Sequence, residues 1–156
     1  MANNGDSNTE PPEQELVITR VFDAEYFVRW WGPKGYTTPF CTIDLRPGGI
    51  MHHCMRSPEG REVWTKGVFR EIVVPERIVL TDSFADAEGN VVSPTHYGMS
   101  PDWPLETLLT VTFDEQAGKT KVTLRHAGIP SGSERDGTQQ GWLETVDRLA
   151  EYLAEA

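Results

Sequence analysis

The segment Ser133 to Glu155 constrains the fold more than any other. Trp142, Val146, Leu149 and Leu153 recur at spacings of four, three and four, which puts them on one stripe of a helix. Leu143 and Ala150 are expected to widen that stripe, while Glu144, Arg148, Glu151 and Glu155 lie off it. Glu144 and Arg148 have the spacing of an acid–base pair one turn apart, and Ser133 with Asp136 resembles a capping box. A helix of about 22 residues is roughly 33 Å long, and its apolar stripe needs a partner. Everything upstream reads as strands, so the expected partner is one sheet wrapped around the helix.

Gln14–Phe22 is β-branched and alternating, which predicts a first strand. Asp23 to Trp31 is a short aromatic piece with room for about two helical turns, ended by Gly32, Pro33 and Gly35. Thr37–Arg46, Ile50–Arg56, Arg61–Val74 and Arg77–Ala85 predict four further strands, with turns at Pro47-Gly48-Gly49, Ser57–Gly60 and Pro75-Glu76. Asp86 to Pro104 is rich in Gly and Pro, and a loop of that length is usually functional or mobile. Alternation over Thr107–Phe113 and Lys121–His126 predicts a hairpin turning at Glu115–Lys119. The expected architecture is α+β: a curved antiparallel sheet of about six to seven strands gripping a long C-terminal helix. Residues 14–156 are expected to form a single domain. Met1–Glu13 has no periodic apolar residue and is expected to be a disordered tail.

A chain of 156 residues can bury one core. Its formal charge of −10 argues against nucleic acid or an anionic membrane surface as partner. No apolar run is long enough to span a membrane and the start lacks an apolar signal core, so a cytoplasmic protein is expected. Cys41 and Cys54 are too few for a disulfide framework, and whether they face each other depends on strand register.

Several motifs resemble one family. Val21-Phe22-Asp23-Ala24 and Arg29-Trp30-Trp31-Gly32-Pro33-Lys34-Gly35 are similar to the front of the activator of heat-shock-protein ATPase homologue family, and Asp44-Leu45-Arg46-Pro47-Gly48-Gly49 to its second-to-third strand turn. Gly67–Ile72, Pro75–Ile78 and, in the closing helix, Gly141–Leu143 with Arg148–Leu153 continue the resemblance over about Leu16 to Leu153. It implies the START-like, or SRPBCC, helix-grip fold. One departure stands out. The family's first small helix looks deleted, because Glu25-Tyr26-Phe27 follows Asp23-Ala24 at once. Apolar surface left uncovered by that deletion favours a homodimer, with an open-mouthed monomer as the alternative.

No catalytic constellation has the right spacing. His52 and His53 are adjacent on a strand and point to opposite faces, so they cannot share a metal, and no Cys or His pair has zinc-ligand spacing. No nucleophile elbow or phosphate-cradling glycine loop occurs, and no cofactor is implied. What remains is a pocket lining. The family pattern points Met51, His53 and Met55 inward, with Phe69, Leu109, Val111, Val122, Leu124 and His126 from the later strands. Trp142 and Val146 would close the top, and Trp30, Trp31 and Tyr36 could form a wall. Each of these also suits ordinary core, and Trp30-Trp31-Gly32-Pro33 equally suits a rigid corner. His53 is set apart, because a buried imidazole needs a partner. Met99 and Trp103 could serve as a lid or belong to a loosely held loop. The expected function is non-catalytic binding of a small hydrophobic or aromatic molecule between sheet and helix. The alternatives are a chaperone-binding role and a cyclase- or lyase-type enzyme using His53 with Tyr36 or Thr65.

Overall fold

A computed structural model describes residues 21–74 and 76–155. The expected disordered tail and residues 14–20 of the expected first strand lie outside the described residues. Val21 and Phe22, placed by alternation at the end of that strand, are helical and fully buried. A single helical turn follows, α1 (Ala24–Phe27), capped by Asp23, whose carboxylate accepts the Glu25 N–H at 3.0 Å.

Six strands then form one antiparallel meander: β1 (Thr37–Ile43), β2 (Ile50–Arg56), β3 (Glu62–Val73), β4 (Arg77–Ala85), β5 (Thr107–Gln116) and β6 (Lys119–Ala127). Neighbours in the chain are neighbours in the sheet throughout. β1 ends three residues before the expected Arg46, because Asp44-Leu45-Arg46-Pro47 leaves the ladder to begin the turn. The β5–β6 turn is tighter than expected. Ala117 and Gly118 both have positive φ, 52° and 80°, as a two-residue hairpin requires.

The sheet bends where the β1–β2 turn folds onto it. Gly48 donates its N–H to the Phe69 carbonyl at 2.7 Å, and the Phe69 N–H returns to the Gly49 carbonyl at 3.0 Å. The β3–β4 register shifts between Phe69 and Glu71, and such a bulge increases local twist. Gly49 fits this close approach because a Cβ there would lie 2.0 Å from the Asp44 carbonyl oxygen.

The closing helix α2 (Ser133–Glu155) has the expected ends. Its first turn is satisfied differently from a capping box: the Asp136 N–H bonds the Gly132 carbonyl at 3.1 Å. Its buried face is also rotated. Thr145 and Leu149 are its most buried positions, flanked by Trp142, Val146, Tyr152 and Leu153, while Leu143 and Ala150 are exposed. Leu143 and Ala150 therefore do not widen the packed stripe.

The Glu144–Arg148 pair is replaced by two longer reaches. Glu144 accepts the Lys34 N–H at 3.0 Å and the Gln140 side-chain amide at 3.2 Å. Arg148 Nη1 lies 3.0–3.3 Å from the carbonyls of Trp31, Gly32, Pro33 and Tyr36. The helix thereby clasps the Trp-Trp-Gly-Pro corner by hydrogen bonds to its backbone.

Register settles the cysteines. Cys41 pairs with His53 and Cys54 with Phe40, so the two thiols point to opposite faces and both are free. Burial pushes the Cys41 thiol up to about 12, which keeps it protonated.

The core lies on the concave face. Phe22, Phe27, Trp30, Met51, Phe69, Ile78, Leu80, Leu109, Val111 and Phe113 pack together there, with Leu149 from the helix. The Trp30 indole N–H donates to the Val21 carbonyl at 3.1 Å, which ties the residues before α1 to the corner that follows it. No helix among the described residues is long and apolar enough to cross a membrane.

Candidate functional site: a cavity between sheet and helix

The core does not fill the whole concave face. Towards one end, between the sheet, the Trp31 corner and α2, a cavity of about 180 Å³ remains. Its floor comes from alternate residues of three central strands: His53 and Met55 of β2, Val63 and Thr65 of β3, Asp82 and Phe84 of β4. Trp31, Gly32 and Pro33 form one wall, and Trp142, Thr138 and Thr145 of α2 form another. His126 closes the β6 side.

Met99 and Trp103 complete the lining from the long loop. This loop is docked, contrary to a loosely held segment. A 3₁₀ turn, Pro94–Tyr97, brings in Tyr97, whose hydroxyl donates to the Ala85 carbonyl and accepts the Trp64 N–H. Val92 N–H bonds the Phe84 carbonyl, and Ser100 N–H reaches Glu134 of α2 at 2.7 Å. Trp103 is thereby held against Phe84 with its ring 5.9 Å away. The loop thereby contributes Met99 and Trp103 to the cavity wall.

The residues named from the sequence fall into three places. Trp31, His53, Met55, His126 and Trp142 line the cavity. Trp30, Met51, Phe69, Leu109 and Val111 are packed into the core beside it. Leu124 and Val146, with Val122, face a wider groove of about 670 Å³ between β6 and α2, which shares Thr138, His126 and Trp142 with the cavity. Tyr36 lies at the corner, its Cβ about 3.2 Å from where a Cβ on Gly32 would stand.

Both inward histidines are neutral and partnered. His53 sits opposite Thr65 in the β2–β3 register, and its Nε2 is 2.7 Å from the Thr65 hydroxyl. Its ring packs against Phe27 and Trp31 at 5.6 and 5.5 Å. Burial, with a smaller contribution from His52, pulls its pKa down to about 3. At the other side, the Trp142 indole N–H donates to His126 Nδ1 at 3.1 Å. That leaves the proton on Nε2, which donates to Thr107 Oγ1 at 2.8 Å, while the Thr107 hydroxyl donates to the Asp82 carbonyl at 3.0 Å. Burial pulls His126 down to about 4. The relay from Trp142 to Asp82 fixes both aromatic rings.

Two polar groups at the cavity stand apart. The Trp31 indole N–H is buried and has no hydrogen-bond partner among the described residues. The Asp82 carboxylate lies 3.5 Å from His126 Nε2, and burial pushes its pKa up to about 6. Among the described residues no three His, Cys, Asp or Glu side chains converge to hold a metal. Asp82, Thr145 and Phe84 were not singled out from the sequence. Their signal was parity: Asp82 and Phe84 continue the alternation of Ile78 and Leu80, which points all four to one face.

This arrangement of a meander, a covering loop and a gripping helix is shared with known proteins. The family model described as Activator of Hsp90 ATPase homolog 1-like protein (AHSA1) matches residues 14–154. The chain belongs to this family. Among solved structures, a protein from Arthrobacter aurescens superposes with a TM-score of 0.72 at 23% identity, covering 92% of this chain and 80% of that one. An AHSA1 protein from Silicibacter pomeroyi gives 0.69 at 21% identity, covering 90% of each chain. A protein from Nitrosomonas europaea gives 0.69 at 23%, covering 91% and 87%. These likenesses establish a common helix-grip fold. No curated protein matches the chain.

Within that AHSA1-like frame, the aromatic corner and Trp142 make direct contact. The rings of Trp31 and Trp142 meet edge to face at 5.2 Å, and Phe27 stacks on Trp31 at 4.5 Å. One indole wall of the cavity therefore rests on the other, and both rest on the core.

Proposed function

We propose that this AHSA1-like domain binds a small hydrophobic or aromatic molecule in the cavity between sheet and helix. The observation that carries the reading is the lining itself. Trp31, Phe84, Trp103 and Trp142 offer aromatic faces, Met55, Val63 and Met99 offer apolar ones, and a few polar groups converge among them. Ligand sites have this composition: mostly apolar walls with a small number of polar groups that fix orientation. The size limits the ligand. An apolar cavity of about 150 Å³ takes up benzene, so about 180 Å³ suits one ring with a short substituent. Drug-sized pockets start at about 300 Å³.

Filling the space tests the reading. Thr145 lines the cavity, and its hydroxyl donates to the Gly141 carbonyl of its own helix at 2.8 Å, so Thr145→Leu strands no second side chain. Calorimetric titration with benzyl alcohol is expected to show binding to the wild type and at least tenfold weaker binding to Thr145→Leu. Equal affinities in the two proteins would place the ligand elsewhere and contradict the assignment.

A further inference from the structure

Resting on the binding reading above, we propose that the cavity selects a small aromatic cation, an aryl-alkyl ammonium whose charge is held by the Asp82 carboxylate. Among the described residues Asp82 is the only carboxylate in the lining, and no Lys or Arg lines the cavity beside it. Among the described residues no group donates a hydrogen bond to it. His126 Nε2, at 3.5 Å, is committed to Thr107, and its Nδ1 is occupied by the Trp142 indole N–H. A carboxylate taken partly out of water without a counter-charge is costly. Asp82 therefore lacks what an ammonium supplies: positive charge and hydrogen-bond donors.

The walls fit the same ligand. The aromatic faces of Trp31, Phe84, Trp103 and Trp142 attract a cation through their ring quadrupoles. The chain's formal charge of −10 favours approach of cations over anions. The groups around Asp82 leave its charge uncompensated. His126 of β6 and His53 of β2 are both neutral, Thr107 of β5 is committed to the Asp82 carbonyl, and α2 presents Thr138, Trp142 and Thr145. Although burial raises the Asp82 pKa to about 6, the carboxylate is predominantly ionised at pH 7.5. It gains its proton, and loses its hold on a cation, as the pH falls through that value.

Three probes of similar shape separate charge from shape: benzylamine, benzyl alcohol and benzoate, titrated calorimetrically at pH 7.5 into wild type and Asp82→Asn. Benzylamine is expected to bind the wild type at least tenfold more tightly than benzyl alcohol, with benzoate weakest. Asp82→Asn is expected to erase the amine's advantage. In the wild type at pH 5.0, where benzylamine stays protonated, the advantage is expected to shrink several-fold. That arm decides the question should Asp82→Asn fail to fold. Benzyl alcohol binding as tightly as benzylamine, or an amine preference that survives both Asp82→Asn and pH 5.0, overturns the cation inference and leaves the binding reading standing. No binding by any of the three overturns both.

Discussion

Replacing Arg148 with alanine is expected to destabilise the fold by about 2 kcal/mol, in the range for hydrogen bonds made by a charged group. An exposed helix arginine paired only with Glu144 would contribute within about 0.5 kcal/mol. The difference lies in where the guanidinium goes. It is half-buried against the corner and faces the carbonyls of Trp31, Gly32, Pro33 and Tyr36, and burial pulls its pKa down. Removing it strands backbone acceptors at the point where the corner meets α2. The wall carrying Trp31 then loses its tie to the helix carrying Trp142. Lysine has a single charged nitrogen where arginine has a fork, so Arg148→Lys is expected to recover only part of the loss. Urea denaturation measures both. A change within about 0.5 kcal/mol for Arg148→Ala would mean that the clasp contributes nothing.

Stability is expected to fall between pH 7.5 and pH 5.0, chiefly through His53. Its folded pKa, about 3, lies below the ordinary 6.5, so the unfolded chain takes up a proton that the folded chain refuses. The stability this contributes is complete above 6.5 and declines as the pH drops towards 3. At pH 5.0 the loss is about 1.5 pH units, or about 2 kcal/mol. His126, pulled down to about 4, adds a loss of the same sign. Asp82 acts the other way: its folded pKa is raised to about 6, so the folded state gains stability as the pH falls from 6 towards 3.8. The latter two partly offset each other and leave His53 in control. His53→Phe keeps the ring contacts with Phe27 and Trp31 but removes the titration, and it should abolish about 2 kcal/mol of the pH dependence. Guanidinium denaturation of both proteins at the two pH values measures this. An unchanged pH dependence in His53→Phe would mean that His53 titrates normally in the fold.

Elements with strong local signals were legible in the sequence. β2, β4 and α2 have the expected ends because Pro-Gly turns and clean periodicities mark them. The rotation of α2 was not legible. Helical spacing identified an apolar stripe, but Thr145 and Leu149 are the positions that bury, while Leu143 lines the groove to β6. Arg148 read as a solvent charge because the corner it clasps lies more than a hundred residues away in the chain. His53, Trp31, His126 and Trp142 were found as inward residues of known types. Asp82 was not, because an acid inside a strand reads as solvent-facing until its parity with Leu80 and Phe84 is set against what covers that face. The loop from Asp86 to Pro104 advertised only its turns. Its docking depends on Tyr97, Ser100 and Trp103 meeting partners on β3, β4 and α2.

The most direct test of the cavity uses the protein's own five tryptophans. Their indole N–H resonances report separate places in the fold. Trp31, Trp103 and Trp142 line the cavity, whereas Trp64 lies on the opposite face of the sheet, clustered with Phe40 and His52. Titration of ¹⁵N-labelled protein with benzyl alcohol is predicted to shift the Trp31, Trp103 and Trp142 indole signals and leave Trp64 unmoved. Shifts at Trp64 with Trp31 and Trp142 unchanged would contradict the cavity as the binding site.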